Sequence, residues 1–230
     1  NTEEERLLGV SLTGIMDNHY TNLPTADFLK KLRTTAVEVN KELAKTLKIP
    51  QSTAITCVKP SGTVSQLVDS ASGIHTRHSP YYIRTVRCDT KDPLTSFMIE
   101  KGFPNEPDVT NPTSVTVFSF PIKSPDRAVC RNDVGAIQQL ETWLLYQKHW
   151  CEHKPSVTIS VKDHEWMDVG AWVYKNFDHV AGISFLPYAD HVYQQAPYQD
   201  CDKKQYENLL KQMPKGVDFS AFVEDKDNTT

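Results

Sequence analysis

Ser52-Thr-Ala-Ile-Thr-Cys-Val58 is rich in β-branched and apolar side chains and reads as a buried strand. Pro60 stops that strand, because it has no N–H to give to a ladder. Ser61, Gly62 and Thr63 follow, and Val64-Ser-Gln-Leu-Val68 can open a helix. A strand, a tight Ser/Gly/Thr turn and a helix start together make a place for an anion. The first N–H groups of a helix have no partner within it. The helix dipole also favours negative charge in front of them. Gly62 lets the backbone come close to a ligand, and Ser61, Thr63 and Ser65 offer hydroxyls. An ordinary strand-to-helix turn with a Ser or Thr cap accounts for the same residues. Chemistry alone leaves both readings standing. The chain has no G-x-x-x-x-G-K-[ST] loop.

Strands and helices alternate around this turn. Leu7 to Met16 suits a buried strand ending near Asp17. Pro24-Thr25 opens a helix to about Leu47, with Thr25 as N-cap. Phe28, Leu32, Ala36, Val39, Leu43 and Leu47 recur every three or four residues and form one apolar stripe. Lys30, Lys31, Arg33, Glu38, Lys41, Glu42 and Lys45 take the solvated side. Strand, helix, strand predicts a right-handed crossover between parallel strands. Further on, Tyr81 to Arg87 is strand-like. Asp92-Pro93 opens a short helix that Gly102 stops. The Pro/Asn/Asp-rich stretch 104–112 reads as an exposed loop, and Ser114 to Phe120 as a strand. A helix from Val134 to about Trp150 and a strand over Ser156 to Val161 follow. Asp163 to about Asn176 reads as a helix, and Ala181 to Leu186 as a strand. The fold class is therefore α/β, with no internal repeat.

The chain has 230 residues, 39% apolar and 23% charged, enough for one large domain or two small ones. Its net charge of −4 gives no pull toward nucleic acid or an anionic membrane. No stretch approaches the roughly 20 apolar residues of a membrane span. The acidic N-terminus is no signal region, and the lack of an initiating Met predicts a piece of a longer product. Cys57, Cys88, Cys130, Cys151 and Cys201 are odd in number, widely spaced and without a C-x-x-C. They predict free thiols in a reducing, cytoplasmic compartment.

Three clusters invite chemistry. His149 and His153 are four apart and share a helix face, but Cys151 points elsewhere and Pro155 ends the helix. No metal site is predicted there, and the histidines are expected to meet the helix's last carbonyls. His75, Arg77 and His78 follow the turn closely and predict a cationic rim for a polyanion. Arg84 and Arg87 fall on opposite faces of their strand. Asp190, His191 and Tyr193 follow a predicted strand end, where sites of parallel sheets gather, and suit a hydrogen-bonded turn equally. Neither G-x-S-x-G nor G-x-G-x-x-G occurs.

K-P-S-G-T-V-S-Q followed by S-G-I-H-x-R-x-S-P-Y-Y-I-R-x-V-R closely resembles the monomer-type, adenosylcobalamin-dependent (class II) ribonucleoside-triphosphate reductases. L-L-G-V-S-L-T-G-I-M-D, W-C-E-H-x-P-S-V-T-I and F-L-P-Y-A-D-H-V-Y-Q-Q-A-P-Y resemble the same family in the same order. The likeness runs from about Glu4 to Tyr198. It implies the later part of a ten-stranded α/β barrel over residues 1–198, and leaves 199–230 as a charged C-terminal segment. It also implies that Ser61, Gly62, Thr63, Val64 and Ser65 hold the phosphates of a ribonucleotide substrate. The complete family enzyme uses adenosylcobalamin to make a thiyl radical, and a cysteine pair served by a thioredoxin-type reductant. The family's radical cysteine lies in N-x-C-x-E, and none of the five cysteines here has that setting. The resemblance therefore implies a chain that needs the missing N-terminal part of the reductase, in cis or in trans. The alternative is a non-catalytic nucleotide-binding remnant or assembly module.

Overall fold

The structure, a computed structural model, describes residues 2–18, 23–188 and 193–222. The first half of the chain runs α1 (Thr2–Glu5), β1 (Leu7–Ser11), α2 (Ala26–Leu47), β2 (Ala54–Cys57), α3 (Val64–Leu67), β3 (Tyr81–Asp89) and α4 (Pro93–Glu100). It continues through β4 (Asn105–Pro107), β5 (Val115–Lys123), α5 (Ala136–His149), β6 (Thr158–Val161), α6 (Trp166–Lys175) and β7 (Ser184–Pro187). β8 (Tyr198–Asp200) and α7 (Lys203–Gln212) close it. By their contacts these elements fall into two units. One is Asn1–Arg77 with Pro125–Ala189, and the other is His78–Ser124 with Asp190–Thr230. β8 is a single strand, so the expected boundary after Tyr198 falls inside it.

The first unit holds the expected parallel strands. β1 pairs with β2, Leu7 opposite Ala54 and Ser11 opposite Cys57, with α2 as the connection. β6 and β7 pair in parallel through α6. Residues 152–156 run beside the end of β2, where Glu152 N–H donates to Thr56 O at 2.8 Å and Ser156 N–H to Val58 O at 2.9 Å. α5 lies at the centre of the core. Leu140 and Trp143 are fully buried with Leu29, Val58, Ile159 and Val161. Each such side chain contributes about 1.5–3 kcal/mol. Two of the buried indoles are satisfied by backbone carbonyls: Trp143 Nε1 gives to Pro155 O at 3.1 Å and Trp150 Nε1 to Cys57 O at 2.8 Å.

The second unit is an antiparallel sheet in the order β4-β5-β3-β8. β3 and β5 pair over nine positions, from Tyr81 opposite Lys123 to Asp89 opposite Val115. The expected loop at 104–112 contains β4, because Asn105–Pro107 pairs with Thr116–Phe118 of β5. α4 starts as expected, with Asp92 accepting from Leu94 N–H and Pro93 first in the helix. The segment read only as charged forms α7, begun by a reciprocal Asp202–Gln205 cap.

The stripe on α2 departs from expectation. Thr25 caps the helix as predicted, but only Leu29 and Ala44 are buried. Phe28, Val39, Leu43 and Leu47 are exposed. These four have no close cover among the described residues. Among the described residues, no helix is long and apolar enough to cross a membrane.

Arg77 ties the first unit together. Its side chain is 3% exposed, with Nε 2.6 Å from Asp17 Oδ1. Nη1 lies 3.3 Å from Asp69 Oδ1, and Nη2 donates to Asp69 O at 2.6 Å. A buried charge is tolerated only when paired, and removing one partner leaves the other uncompensated. Arg77→Met keeps most of the volume and should destabilise the chain by about 3–5 kcal/mol, measured by urea unfolding. A loss below about 1 kcal/mol would show the ion pair to be of surface strength.

Candidate functional site

Val58, the residue after β2, is fully buried, and Lys59 N–H donates to Ser11 Oγ at 2.9 Å. The chain then surfaces: Gly62, Thr63 and Val64 are exposed. Ser65 N–H turns back to Ser61 O at 2.8 Å, and Gln66 N–H to Thr63 O at 3.1 Å. The amides of Gly62, Thr63 and Val64 and the Thr63 hydroxyl have no hydrogen-bond partner among the described residues. A Cβ on Gly62 would meet nothing within 4 Å, so the backbone there is open to a ligand. Gly73 is different. Its φ is +56°, and a Cβ would stand 3.3 Å from Lys59 O, so that position needs glycine to lie against the base of the turn.

Two expectations about the turn change. α3 is a single turn of four residues, and Thr63 makes no side-chain cap. The dipole in front of it is therefore that of one turn, and the anion-binding capacity lies in the local N–H groups. Ser65 is fully buried, and its hydroxyl accepts from Gln66 Nε2 at 3.3 Å. It shapes the turn from inside and does not line its open face. Ser61 is half-buried and joins a hydroxyl chain: its Oγ lies 2.9 Å from Thr13 Oγ1 and 3.3 Å from Ser72 Oγ.

His75, Arg77 and His78 do not form a cationic rim. His75 Nε2 accepts from Thr158 N–H at 3.0 Å, so its proton is on Nδ1, which donates to Ser72 O at 3.0 Å. Burial pushes its pKa below the ordinary histidine value, against the Ser72 carbonyl. Arg77 is spent on Asp17 and Asp69. His78, in the second unit, stands 3.0 Å from the Asp200 carboxylate and stacks on Tyr198. Cationic side chains in buried positions are used to satisfy the fold before they can serve a ligand. Arg84 lies over the Tyr198 ring, and Arg87 pairs with Asp108 at 2.8 Å.

The H-W-C-E-H stretch is held by its glutamate. Glu152 Oε2 accepts from Ile55 N–H at 3.0 Å and Thr56 N–H at 3.2 Å. Burial pushes its carboxyl up, but those amides and Arg33 together hold it below the usual range. His153 lies against Leu8 O of β1, and His149 Nδ1 is buried with no partner among the described residues. The expected contacts with helix carbonyls are therefore not made. The described residues contain no group of three side chains able to hold a metal. Burial, and secondarily Cys57, pushes the Cys151 thiol up to about 12, and burial also raises Cys57, Cys88 and Cys201. Asp190 and His191 lie outside the described residues, and Tyr193 is exposed.

Sequence reasoning missed Thr13 and Asp17. Asp17 Oδ2 accepts from Ala71 N–H at 2.8 Å, and Thr13 Oγ1 donates to Ala71 O at 2.9 Å. Their signal was the polar pair inside the apolar run L-T-G-I-M-D. A cleft of about 540 Å³ between the start of α2 and the end of α5 contains none of the turn. Leu23, Pro24, Glu141, Leu144, Lys148 and His149 line it.

No protein-family model matches the chain. It is 32% identical over 192 residues to a probable adenosylcobalamin-dependent ribonucleoside-triphosphate reductase of Dictyostelium discoideum, covering 80% of this chain and 25% of that protein. The Euglena gracilis adenosylcobalamin-dependent ribonucleoside-triphosphate reductase is 29% identical over 182 residues, covering 78% and 25%. That of Lactobacillus leichmannii is 27% identical over 257 aligned positions, covering 97% and 34%. The fold matches a crystal structure of a B-12 dependent (class II) ribonucleotide reductase, with a TM-score of 0.80 and 24% identity. The match covers 98% of this chain and 36% of that one. The resemblance read from the motifs is thus borne out, and the chain spans about a quarter to a third of these relatives' length.

The His75 geometry fixes a pH dependence. In the fold His75 binds its proton less readily than in the unfolded chain. Its contribution is therefore whole above an ordinary histidine pKa of about 6.5 and declines as pH falls below it. Urea midpoints at about pH 7.5 and about pH 5.5 should differ less in His75→Gln than in the wild type. Equal differences would show that His75 titrates alike in both states.

Proposed function

We propose that this chain, homologous over most of its length to part of an adenosylcobalamin-dependent ribonucleoside-triphosphate reductase, is the substrate-phosphate-positioning part of such an enzyme. The observation that carries this reading is the turn itself. Three open amides and a free hydroxyl are presented at the C-terminal end of a parallel strand, where sites of such sheets gather. The amides of Gly62, Thr63 and Val64 and the Thr63 hydroxyl donate to phosphate oxygens, joined by Ser61. Ser65 braces the turn from within. Donors already fixed in place lose little freedom when the ligand arrives, so they orient a ribose against groups supplied from elsewhere.

The reading includes a barrel. β1 is exposed along its whole length, and Leu186 of β7 is exposed as well. Parallel sheets are normally covered on both faces. The remaining strands of a ten-stranded α/β barrel, from the missing N-terminal part of the reductase in cis or in trans, would cover them. That part would also carry the radical cysteine, since none of the five cysteines here sits in an N-x-C-x-E setting. The cofactor of the relatives, adenosylcobalamin, supplies radical initiation when bound. The cleft between α2 and α5, about 540 Å³, suits a drug-sized ligand and not a corrinoid. A thioredoxin-type reductant would serve the complete enzyme.

Thr63→Val tests the site. Calorimetric titration with a ribonucleoside triphosphate should show affinity lower by about 1–3 kcal/mol than for the wild-type chain. Unchanged affinity would remove Thr63 from the site. The purified 230-residue chain alone should form no deoxynucleotide. Formation by that chain would contradict the assignment of the radical cysteine to another segment.

A further inference from the structure

We infer that Thr13 is a positioning residue for the polyphosphate site: it seats the hydroxyl of Ser61, 48 residues further along the chain. The inference rests on the phosphate reading of the turn.

The argument is one of donor and acceptor counting. A threonine hydroxyl has one proton and two acceptor lone pairs. Thr13 Oγ1 is 2.9 Å from Ala71 O, which can only accept, so the proton goes there. Gly73 N–H, also 2.9 Å away, can only donate, and takes one lone pair. The remaining 2.9 Å contact is therefore Ser61 donating into the second lone pair. Ser61 Oγ in turn has an acceptor position for the Ser72 hydroxyl at 3.3 Å. Thr13 thus uses all its hydrogen-bonding capacity and sets the direction of the whole chain.

The backbone around Ala71 does not depend on this hydroxyl alone. Gly14 N–H donates to Ala71 O at 2.9 Å, Ile15 N–H to Gly73 O at 3.2 Å, and Asp17 Oδ2 accepts from Ala71 N–H. Loss of the Thr13 hydroxyl therefore leaves residues 71–73 anchored. What it removes is the seat of the Ser61 hydroxyl. Ser61 keeps its proton on Thr13 when an anion arrives, so the bond ties the first residue of the turn to the segment after β1 while the turn's amides meet the ligand. Thr13 retains both backbone bonds throughout. Without the tie, the start of the turn loosens and must be ordered on binding.

The test uses the 230-residue chain, inorganic tripolyphosphate as the probe, and calorimetric affinity beside thermal unfolding. Thr13→Val should weaken binding about five- to tenfold, and Thr13→Ser, which keeps the hydroxyl, should bind within about twofold of wild type. In a Ser61→Ala background Thr13→Val should no longer change affinity, although it still lowers the thermal midpoint. Thr13→Val binding like wild type would overturn the inference, and so would a loss undiminished by Ser61→Ala. If Thr13→Val does not fold, Ser61→Ala decides alone: affinity equal to wild type overturns the inference, and weakened affinity supports it. A wild-type chain that binds no tripolyphosphate would remove the phosphate reading itself, a result separate from any effect of Thr13.

Discussion

The guanidinium of Arg77 is buried, and it can be buried only because Asp17 and Asp69 neutralise and bond it. Those two carboxylates come from opposite ends of the functional region. Asp17 closes the segment after β1, and Asp69 closes the one-turn α3. Through Asp17 the same ion pair reaches Ala71 N–H, and through Ala71 the hydroxyl of Thr13. The turn at residues 61–65 is therefore set from beneath by side chains far away in sequence. Its outward N–H groups have no hydrogen-bond partner among the described residues. Buried charges that hold a turn still while its amides stay open support the anion site we propose there.

The same economy explains why the expected cationic rim is absent. His75 is neutral in its hydrogen-bonded setting between Ser72 and Thr158, and Arg77 is consumed internally. With those side chains occupied, the attraction for phosphate that we propose falls to backbone dipoles and hydroxyls, beside the exposed Lys59. The exposed apolar residues fit the larger assembly that we propose. Phe28, Leu43 and Leu47 on α2, Leu7 and Leu8 on β1, and Met167, Tyr174 and Phe177 on and after α6 are uncovered. A chain that spans about a quarter to a third of its relatives' length leaves such surface wherever the rest of the relative would lie.

Much of the fold was legible from pattern. Thr25 and Asp92 announced their helices, Pro60 and the β-branched run before it announced β2, and strand, helix, strand announced the parallel pair. What pattern could not show was which side of α2 would be covered, because an apolar stripe does not name its partner. β4 was hidden because a three-residue strand with a proline carries no periodicity. α7 was hidden by its charge, though Asp202 and Gln205 spelled a cap. At the site, the open amides followed from the strand-stop-turn sequence. The roles of Thr13, Asp17 and Glu152 did not, because each acts on backbone groups some 50 to 100 positions away. Histidine and arginine were misjudged for a related reason: residue type gives charge, but burial decides who receives it.

The central claim is that a nucleotide's phosphate oxygens dock on the amides between Ser61 and Ser65. A crystal structure of the protein with a ribonucleoside triphosphate tests it most directly. The account predicts phosphate oxygens within about 3 Å of the Gly62, Thr63 and Val64 nitrogens and of the Thr63 hydroxyl. A polyphosphate bound on another surface, with those amides still facing solvent, would contradict it.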